Sequence, residues 1–207
     1  MSGVAHLGRS RAWDGLGFMK KAAFEFELRR KLLHSFFGLS LISILFYSGR
    51  KNLIILLSLL LLLGSIMVVW RIKGRKIPVA DWFEETFERE NVRFPGYGAF
   101  WYVVGTLLAA LFIGNSNEIA AAILTLALGD SAATIFGVRA CHPLPYNRCK
   151  TVEGSLAFFV FSLPVCLFVG WIGVALAALT AVVEGLPSPI DDNLAVPVAA
   201  ALFFLIL

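Results

Sequence analysis

The sequence predicts an all-α membrane protein, built as a polytopic bundle of about seven transmembrane helices. Of its 207 residues, 58% are hydrophobic and only 15% are charged, and the mean hydropathy is +0.80. Soluble domains carry about 25% charged residues, so this composition excludes a soluble globular fold. Apolar runs recur from residue 32 to the last residue and leave no polar stretch long enough for a second domain.

A bilayer core of about 30 Å is crossed by roughly 17–25 helical residues, and this length divides the apolar runs into spans. The seven expected spans are 32–48, 53–70, 98–114, 119–138, 154–170, 172–186 and 193–207. We expect residues 29–207 to form one membrane-embedded domain after a cytoplasmic tail, 1–28, that includes the start of an amphipathic helix. Between the second and third spans, the sequence of residues 78–91 predicts a short surface helix that is capped near Asp81.

The placement of Lys and Arg predicts the orientation, because positively charged loops remain on the cytoplasmic side of a membrane. Seven spans with a cytoplasmic N-terminus put all of the 18 basic residues except Arg50 and Lys51 on that side. The long loops 71–97 and 139–153 are then cytoplasmic as well. We expect an integral, multi-pass membrane protein. Its sequence is equally compatible with the plasma membrane, the endoplasmic reticulum and a plastid envelope.

Acidic residues gather at the ends of the expected spans, on the cytoplasmic side. They are Asp130, Glu153, Glu184, Asp191 and Asp192. An ionisable residue within a span costs about 2.5–3.5 kcal/mol, so each of these acids requires a partner or a function. One interpretation is that the acids and nearby bases only neutralise one another and hold the bundle together.

The neighbours of these acids favour a second interpretation, a site for a nucleotide triphosphate with its metal. Carboxylates and the Asn193 amide suit Mg²⁺, whereas Lys150 and Arg139 suit phosphate oxygens. Gly129 and Gly154 would let a bulky anion approach the backbone, and the start of the fifth helix at Thr151 offers free N–H groups. We therefore expect the site at the cytoplasmic ends of the helices.

The first span carries further polar residues at its cytoplasmic end. Arg30 and His34 are four residues apart and share one helix face, and Lys31 lies beside Arg30. These side chains are candidates for the same site. The alternative for His34 is a hydrogen-bonded packing role.

Four blocks of sequence resemble, in the expected order, the signature of the CTP-dependent lipid-alcohol kinases. The blocks are ELRRKLLHSFFG at 27–38, GDSAATIFG at 129–137, PYNRCKTVEGSLAFF at 145–159 and VVEGLPSPIDDNLAVP at 183–197. This family includes dolichol kinase, phytol kinase and CTP-dependent diacylglycerol kinase. The blocks cover most of residues 27–197.

The resemblance implies transfer of the γ-phosphoryl group of CTP to the hydroxyl of a membrane lipid alcohol, with Mg²⁺ as cofactor. The expected catalytic residues are Asp130, Lys150, Glu153 and His34, and Asp130 is the expected base. The expected metal ligands are Asp130, Glu153, Glu184 and Asp192. The expected nucleotide or phosphate contacts are Lys150, Arg139, Gly129, Gly154, Arg30, Lys31 and Asn193.

Several functional alternatives stay open at this point. A CDP-lipid synthase also uses CTP and Mg²⁺ in a membrane, but its C-terminal signature does not occur here. A small ion-coupled transporter would use Asp130 and Glu184 as intramembrane acids. The acceptor can be a polyprenol or dolichol, phytol or geranylgeraniol, or diacylglycerol. The expected partners are CTP, the lipid alcohol and the bilayer, with no nucleic acid.

Overall fold

The computed structural model describes residues 4–89 and 92–207, with side chains from residue 23 onwards except residue 79. Within these residues every regular element is helical, which confirms the all-α prediction. The α-helices are α1 Val4–Ile72, α2 Pro78–Phe87, α3 Tyr97–Phe112, α4 Ser116–Leu124, α5 Ser131–Gly137, α6 Val152–Ser162, α7 Cys166–Val169, α8 Ile172–Gly185 and α9 Asp192–Ile206. A π-helix, Thr125–Asp130, joins α4 to α5, and a 3₁₀ turn, Leu163–Val165, joins α6 to α7.

Helix α1 is interrupted at Gly49, whose backbone leaves the helical region with φ 82° and ψ 165°. A residue with a Cβ rarely adopts this positive φ, so the glycine suits the break. The break lies between the first two spans expected from the sequence. Arg50 then donates from Nε to the Ala110 carbonyl and from Nη2 to the Leu111 carbonyl, both at 2.8 Å, near the end of α3.

Three helical segments of the described chain are long and apolar enough to cross a membrane. They are Ala23–Ile72, Ser116–Gly137 and Val152–Val169. Three further apolar helices are shorter, namely Tyr97–Phe112, Ile172–Gly185 and Asp192–Ile206. The longest of these three has 16 residues and is about 24 Å long at 1.5 Å per residue.

The continuous segment formed by α4, the π-helix and α5 is the centre of the bundle. Residues 119–127 are all buried, and most of them are Ala, Ile or Leu. Small side chains let neighbouring helices approach this segment closely. A Cβ at Gly129 would meet the Phe158 ring at 2.8 Å and would also collide with Ser162, so α6 packs directly against the backbone there.

The surface helix predicted over 78–91 exists as α2, but the expected cap near Asp81 is wrong. The helix begins at Pro78, and Ile77 at its N-cap offers no side-chain hydrogen bond. Asp81 instead forms an ion pair with Arg71 at the end of α1. Because Arg71 also contacts Glu84 at 2.6 Å, these charges attach α2 to α1.

Candidate active site

A buried ion pair joins the first helix to the central segment of the bundle. Lys31 of α1 contacts Asp130, the last residue of the π-helix, and their side chains are only 4% and 5% exposed. His34, one turn after Lys31, has its Nε2 3.3 Å from the same carboxylate and 3.1 Å from the Leu126 carbonyl oxygen. The structure therefore places Lys31 and His34, two of the expected site residues, beside Asp130.

Hydroxyl groups fix the π-helix against α1. Ser35 donates to the Ala127 carbonyl oxygen at 2.8 Å and lies 2.9 Å from the Ser131 hydroxyl. Ser131 in turn donates to the Lys31 carbonyl oxygen at 3.2 Å. A π-turn shifts the helical register of the residues that follow, and such turns are frequent at functional sites. These hydrogen bonds hold Asp130 beside Lys31.

A second cation, Lys150, bridges two acids from the C-terminal part of the chain. Its Nζ contacts Glu184 at the end of α8 and lies 2.6 Å from Oδ2 of Asp192 at the start of α9. Burial lowers the pKa of Lys150, but the attraction of both carboxylates outweighs this effect and raises the pKa above its usual range. The lysine therefore carries its charge at neutral pH.

The backbone of the loop before α6 brings Lys150 to these acids. The Leu144 N–H donates to the Lys150 carbonyl oxygen at 2.9 Å, and the Asn147 side chain donates to the Gly185 carbonyl oxygen at 3.1 Å. These bonds fold the loop back on itself and attach it to the end of α8. The helix that follows begins at the expected place, with the Thr151 hydroxyl accepting from the Gly154 N–H at 3.1 Å.

The three acids that these lysines contact lie close together. One carboxylate oxygen each from Asp130, Glu184 and Asp192 fall within 4.8 Å of one another. Beside them, Asn193 is 8% exposed, and its Oδ1 is buried without a hydrogen-bond partner among the described residues. Oxygen donors in this number fit a hard divalent cation such as Mg²⁺. The residues present can therefore hold the expected metal.

A cavity of about 350 Å³ contains these groups. The sequence-predicted residues that line it are Arg30, Lys31, Asp130, Lys150, Gly154, Glu184, Asp192 and Asn193. Arg30 reaches the cavity while donating to Glu27 of α1 at 2.6 Å. The walls thus combine carboxylates with Lys and Arg side chains, which is a suitable environment for a metal-bound polyphosphate.

A larger cavity, of about 720 Å³, shares Arg89 and Asp191 with the first. Aromatic rings of Phe26 and Tyr97 line it, together with carboxylates such as Glu85. The smaller cavity is therefore lined mainly by charged and polar residues, and the adjoining larger cavity adds aromatic residues.

Three sequence-predicted residues lie apart from this group. Glu153 forms a 2.5 Å contact with Nδ1 of His142 and is not among the three convergent carboxylates. Arg139 lies over the Phe24 ring, 3.5 Å from its centroid, and does not line the cavity. Gly129 faces α6, as described above, so its missing Cβ serves helix packing rather than ligand approach.

Sequence reasoning missed Arg89 and Tyr102. Arg89, beyond the end of α2, lines both cavities and donates to Glu27 at 2.9 Å. Tyr102 of α3 is 3% exposed, its ring centroid is 4.5 Å from that of His34, and its hydroxyl has no hydrogen-bond partner among the described residues. A tyrosine inside an apolar helix is a weak signal, because most such rings serve packing.

The chain is similar to the uncharacterized protein MJ1137 of Methanocaldococcus jannaschii. The two are 34% identical over 179 residues, which cover 84% of this chain and 91% of that protein. No protein-family model and no solved structure matches the chain.

Proposed function

This chain belongs to the same family as the Methanocaldococcus jannaschii protein MJ1137, and we propose that it is a CTP-dependent kinase of membrane lipid alcohols. The observation that carries the proposal is the meeting of three carboxylates and two lysines in one cavity, from four separate parts of the chain. Phosphoryl transfer requires charge neutralisation and positioning more than covalent catalysis, and this set of groups supplies both. The choice of CTP rests on the four sequence blocks.

On the donor side, Asp130, Glu184 and Asp192 would hold Mg²⁺, with Asn193 Oδ1 as a further oxygen donor. The metal would neutralise charge on the phosphate oxygens. Lys150 is close enough to these acids to contact phosphates bound beside them. Arg30 and Arg89, which share the Glu27 carboxylate, offer further positive charge at the cavity wall.

On the acceptor side, Asp130 is the acid that we propose receives the proton of the alcohol. The alcohol oxygen bonds to the γ-phosphorus, the bond from this phosphorus to the β–γ bridging oxygen breaks, and CDP leaves. Asp130 ends a π-helix within an apolar segment that could span a membrane, which supports access by a lipid hydroxyl. Little assistance from a base is needed when the transition state is loose.

The nucleoside would occupy the larger cavity. Its shared wall with the phosphate cavity, at Arg89 and Asp191, supports a nucleotide lying across both. Phe26 and Tyr97 offer apolar ring surfaces for a base, and carboxylates are suitable acceptors for ribose hydroxyls. A volume of about 720 Å³ is ample for one nucleoside.

We further propose seven spans, with the N-terminus and the site on the cytoplasmic side. The break at Gly49 divides α1 into two apolar halves, and five apolar segments follow: α3, α4 with α5, α6 with α7, α8 and α9. Helices shorter than the bilayer core are accommodated as spans by local thinning of the bilayer. The positive charges of 71–97 and 139–153 support this orientation.

One assay tests the function. Purified protein in lipid vesicles is incubated with γ-labelled CTP or ATP, Mg²⁺ and polyprenol, phytol, geranylgeraniol or diacylglycerol in turn. We expect labelled lipid phosphate and an equal amount of CDP from one acceptor class. Release of pyrophosphate instead would indicate a CDP-lipid synthase, and absence of nucleotide turnover with every acceptor would contradict the proposal and favour the transporter.

A further inference from the structure

The Lys150 ammonium group contacts Oε1 of Glu184 and lies 2.6 Å from Oδ2 of Asp192, and these are two of the three acids that could hold a metal. We infer that Lys150 and the divalent cation exchange: Lys150 must leave these two carboxylates before they can hold the metal, and it moves to the nucleotide phosphates. The phosphates in question are those of the nucleotide in the proposed function, and the inference rests on that function for their identity. Its consequence is that metal and nucleotide bind cooperatively, each weakly without the other.

The geometry of the carboxylates is the basis for the exchange. Nζ of Lys150 contacts Glu184 and is 2.6 Å from Oδ2 of Asp192, and both acids belong to the group within 4.8 Å that could hold a metal. A magnesium ion bound to Oε1 of Glu184 and Oδ2 of Asp192 at about 2.0–2.1 Å would leave no room for an ammonium group that bridges these same two oxygens. Two cations this close would also repel each other strongly in a partly buried site.

The Lys150 side chain has room to move, and the phosphates of the nucleotide would be its new ligand. Its side chain is 25% exposed and lines the cavity, whereas the Lys31 side chain on the remaining acid, Asp130, is only 4% exposed. A lysine has a flexible four-carbon stem and binds phosphate readily as a compact charge. Asn193 lines the same cavity, and its Oδ1 is buried without a hydrogen-bond partner in the part of the chain that the structure describes, so this oxygen is available as a further metal ligand. We therefore expect Lys150 to move while Lys31 keeps Asp130 in place.

The test measures Mn²⁺ binding to the full-length protein by titration calorimetry, without nucleotide. We expect Lys150→Met to bind Mn²⁺ at least about tenfold more tightly than the wild type, because the competing cation is gone. Lys150→Arg should bind as weakly as the wild type, since guanidinium still bridges the acids. The matched control is Arg148→Met, which removes the same charge from an exposed position in the same loop and should change the affinity less than twofold.

Equal Mn²⁺ affinity in the wild type and Lys150→Met would overturn the exchange. If Asp192→Asn still abolished that binding, the metal site and the proposed kinase would survive. Conversely, tighter Mn²⁺ binding by Lys150→Met, together with no CTP turnover by the wild type, would overturn the proposed kinase activity but keep the exchange.

Should Lys150→Met fail to fold, acylation of the wild-type protein provides the decisive measurement. Saturating Mn²⁺ should then increase acylation of the Lys150 amine at least about threefold, and no increase would overturn the inference.

Discussion

Lys31 and Asp130 are 99 positions apart in the chain, yet their side chains form an ion pair from which solvent is almost excluded. Neither charge is tolerable alone in an apolar bundle, so each requires the other. The pair fixes the inner end of the proposed site, because Asp130 is also one of the three convergent carboxylates. Loss of either partner should therefore destabilise the bundle as well as disturb the site, because it leaves an uncompensated buried charge.

The first prediction concerns the carboxylates. Asp130→Asn and Asp192→Asn should each lower CTP-dependent lipid phosphorylation by at least about a hundredfold, because each removes a metal ligand and a negative charge. The matched control is Asp81→Asn, which removes an acid that pairs with Arg71 away from both cavities. Near-normal turnover in either site variant, with the protein correctly inserted, would remove that residue from the mechanism.

The second prediction concerns the larger cavity. Tyr97→Leu and Phe26→Leu should raise the KM for CTP at least about fivefold and leave kcat within about twofold, because ring surface for the base is lost away from the reacting phosphate. Trp82→Leu is the control, since this 58%-exposed ring on α2 does not line the cavity. Unchanged KM in both cavity variants would place the nucleoside elsewhere.

The third prediction separates helix packing from ligand approach at a glycine. Gly129→Ala should destabilise the protein by about 1–3 kcal/mol, because its Cβ would overlap the Phe158 ring. Gly64→Ala is the control, since open space surrounds that position. Thermal unfolding in detergent measures both variants. A Gly129→Ala protein of normal stability that binds nucleotide poorly would restore the ligand-approach interpretation.

The fourth prediction tests the orientation with native cysteines. Cys141 and Cys149 are exposed in the 139–153 loop, and neither forms a disulfide. A membrane-impermeant maleimide should label them from the cytoplasmic side, whereas an added Asn115→Cys should react from the opposite side. Replacement of Cys166 avoids a background signal. Labelling of the native loop cysteines from the outside would contradict both the orientation and the cytoplasmic site.

The fifth prediction follows from the raised pKa of Lys150. A lysine whose pKa is higher in the folded state adds stability that is fully present below its usual value of 10.5 and lost as the pH rises through the folded value. The difference in unfolding temperature between wild type and Lys150→Met should stay constant from about pH 8 to 10 and shrink above about pH 11. A difference that already disappears by pH 9 would contradict the ion bridge to Glu184 and Asp192.

Local features of the sequence were sufficient to predict the helices and most of the polar residues at the site. Apolar run length limits helix length in a bilayer, so the boundaries predicted from these runs lie close to helix ends, and the helix break at Gly49 lies between the first two predicted spans. A charged residue within an apolar span is energetically costly, and this cost distinguishes Asp130 and Glu184 from the rest of their spans. Their place at helix ends follows from the span boundaries alone.

Only the tertiary structure decided which of these charges meet. Glu153 lies in the first turn of α6, three residues after Lys150, yet it contacts His142, while Asp192, 42 positions from Lys150, contacts its ammonium group. Helix rotation and the fold of a loop determine the direction of each side chain, and a helix that is apolar on all sides carries little periodic signal of its rotation. The π-helix before Asp130 is a further example, because its extra residue per turn is stabilised by contacts with Ser35, which lies 92 positions from Ala127.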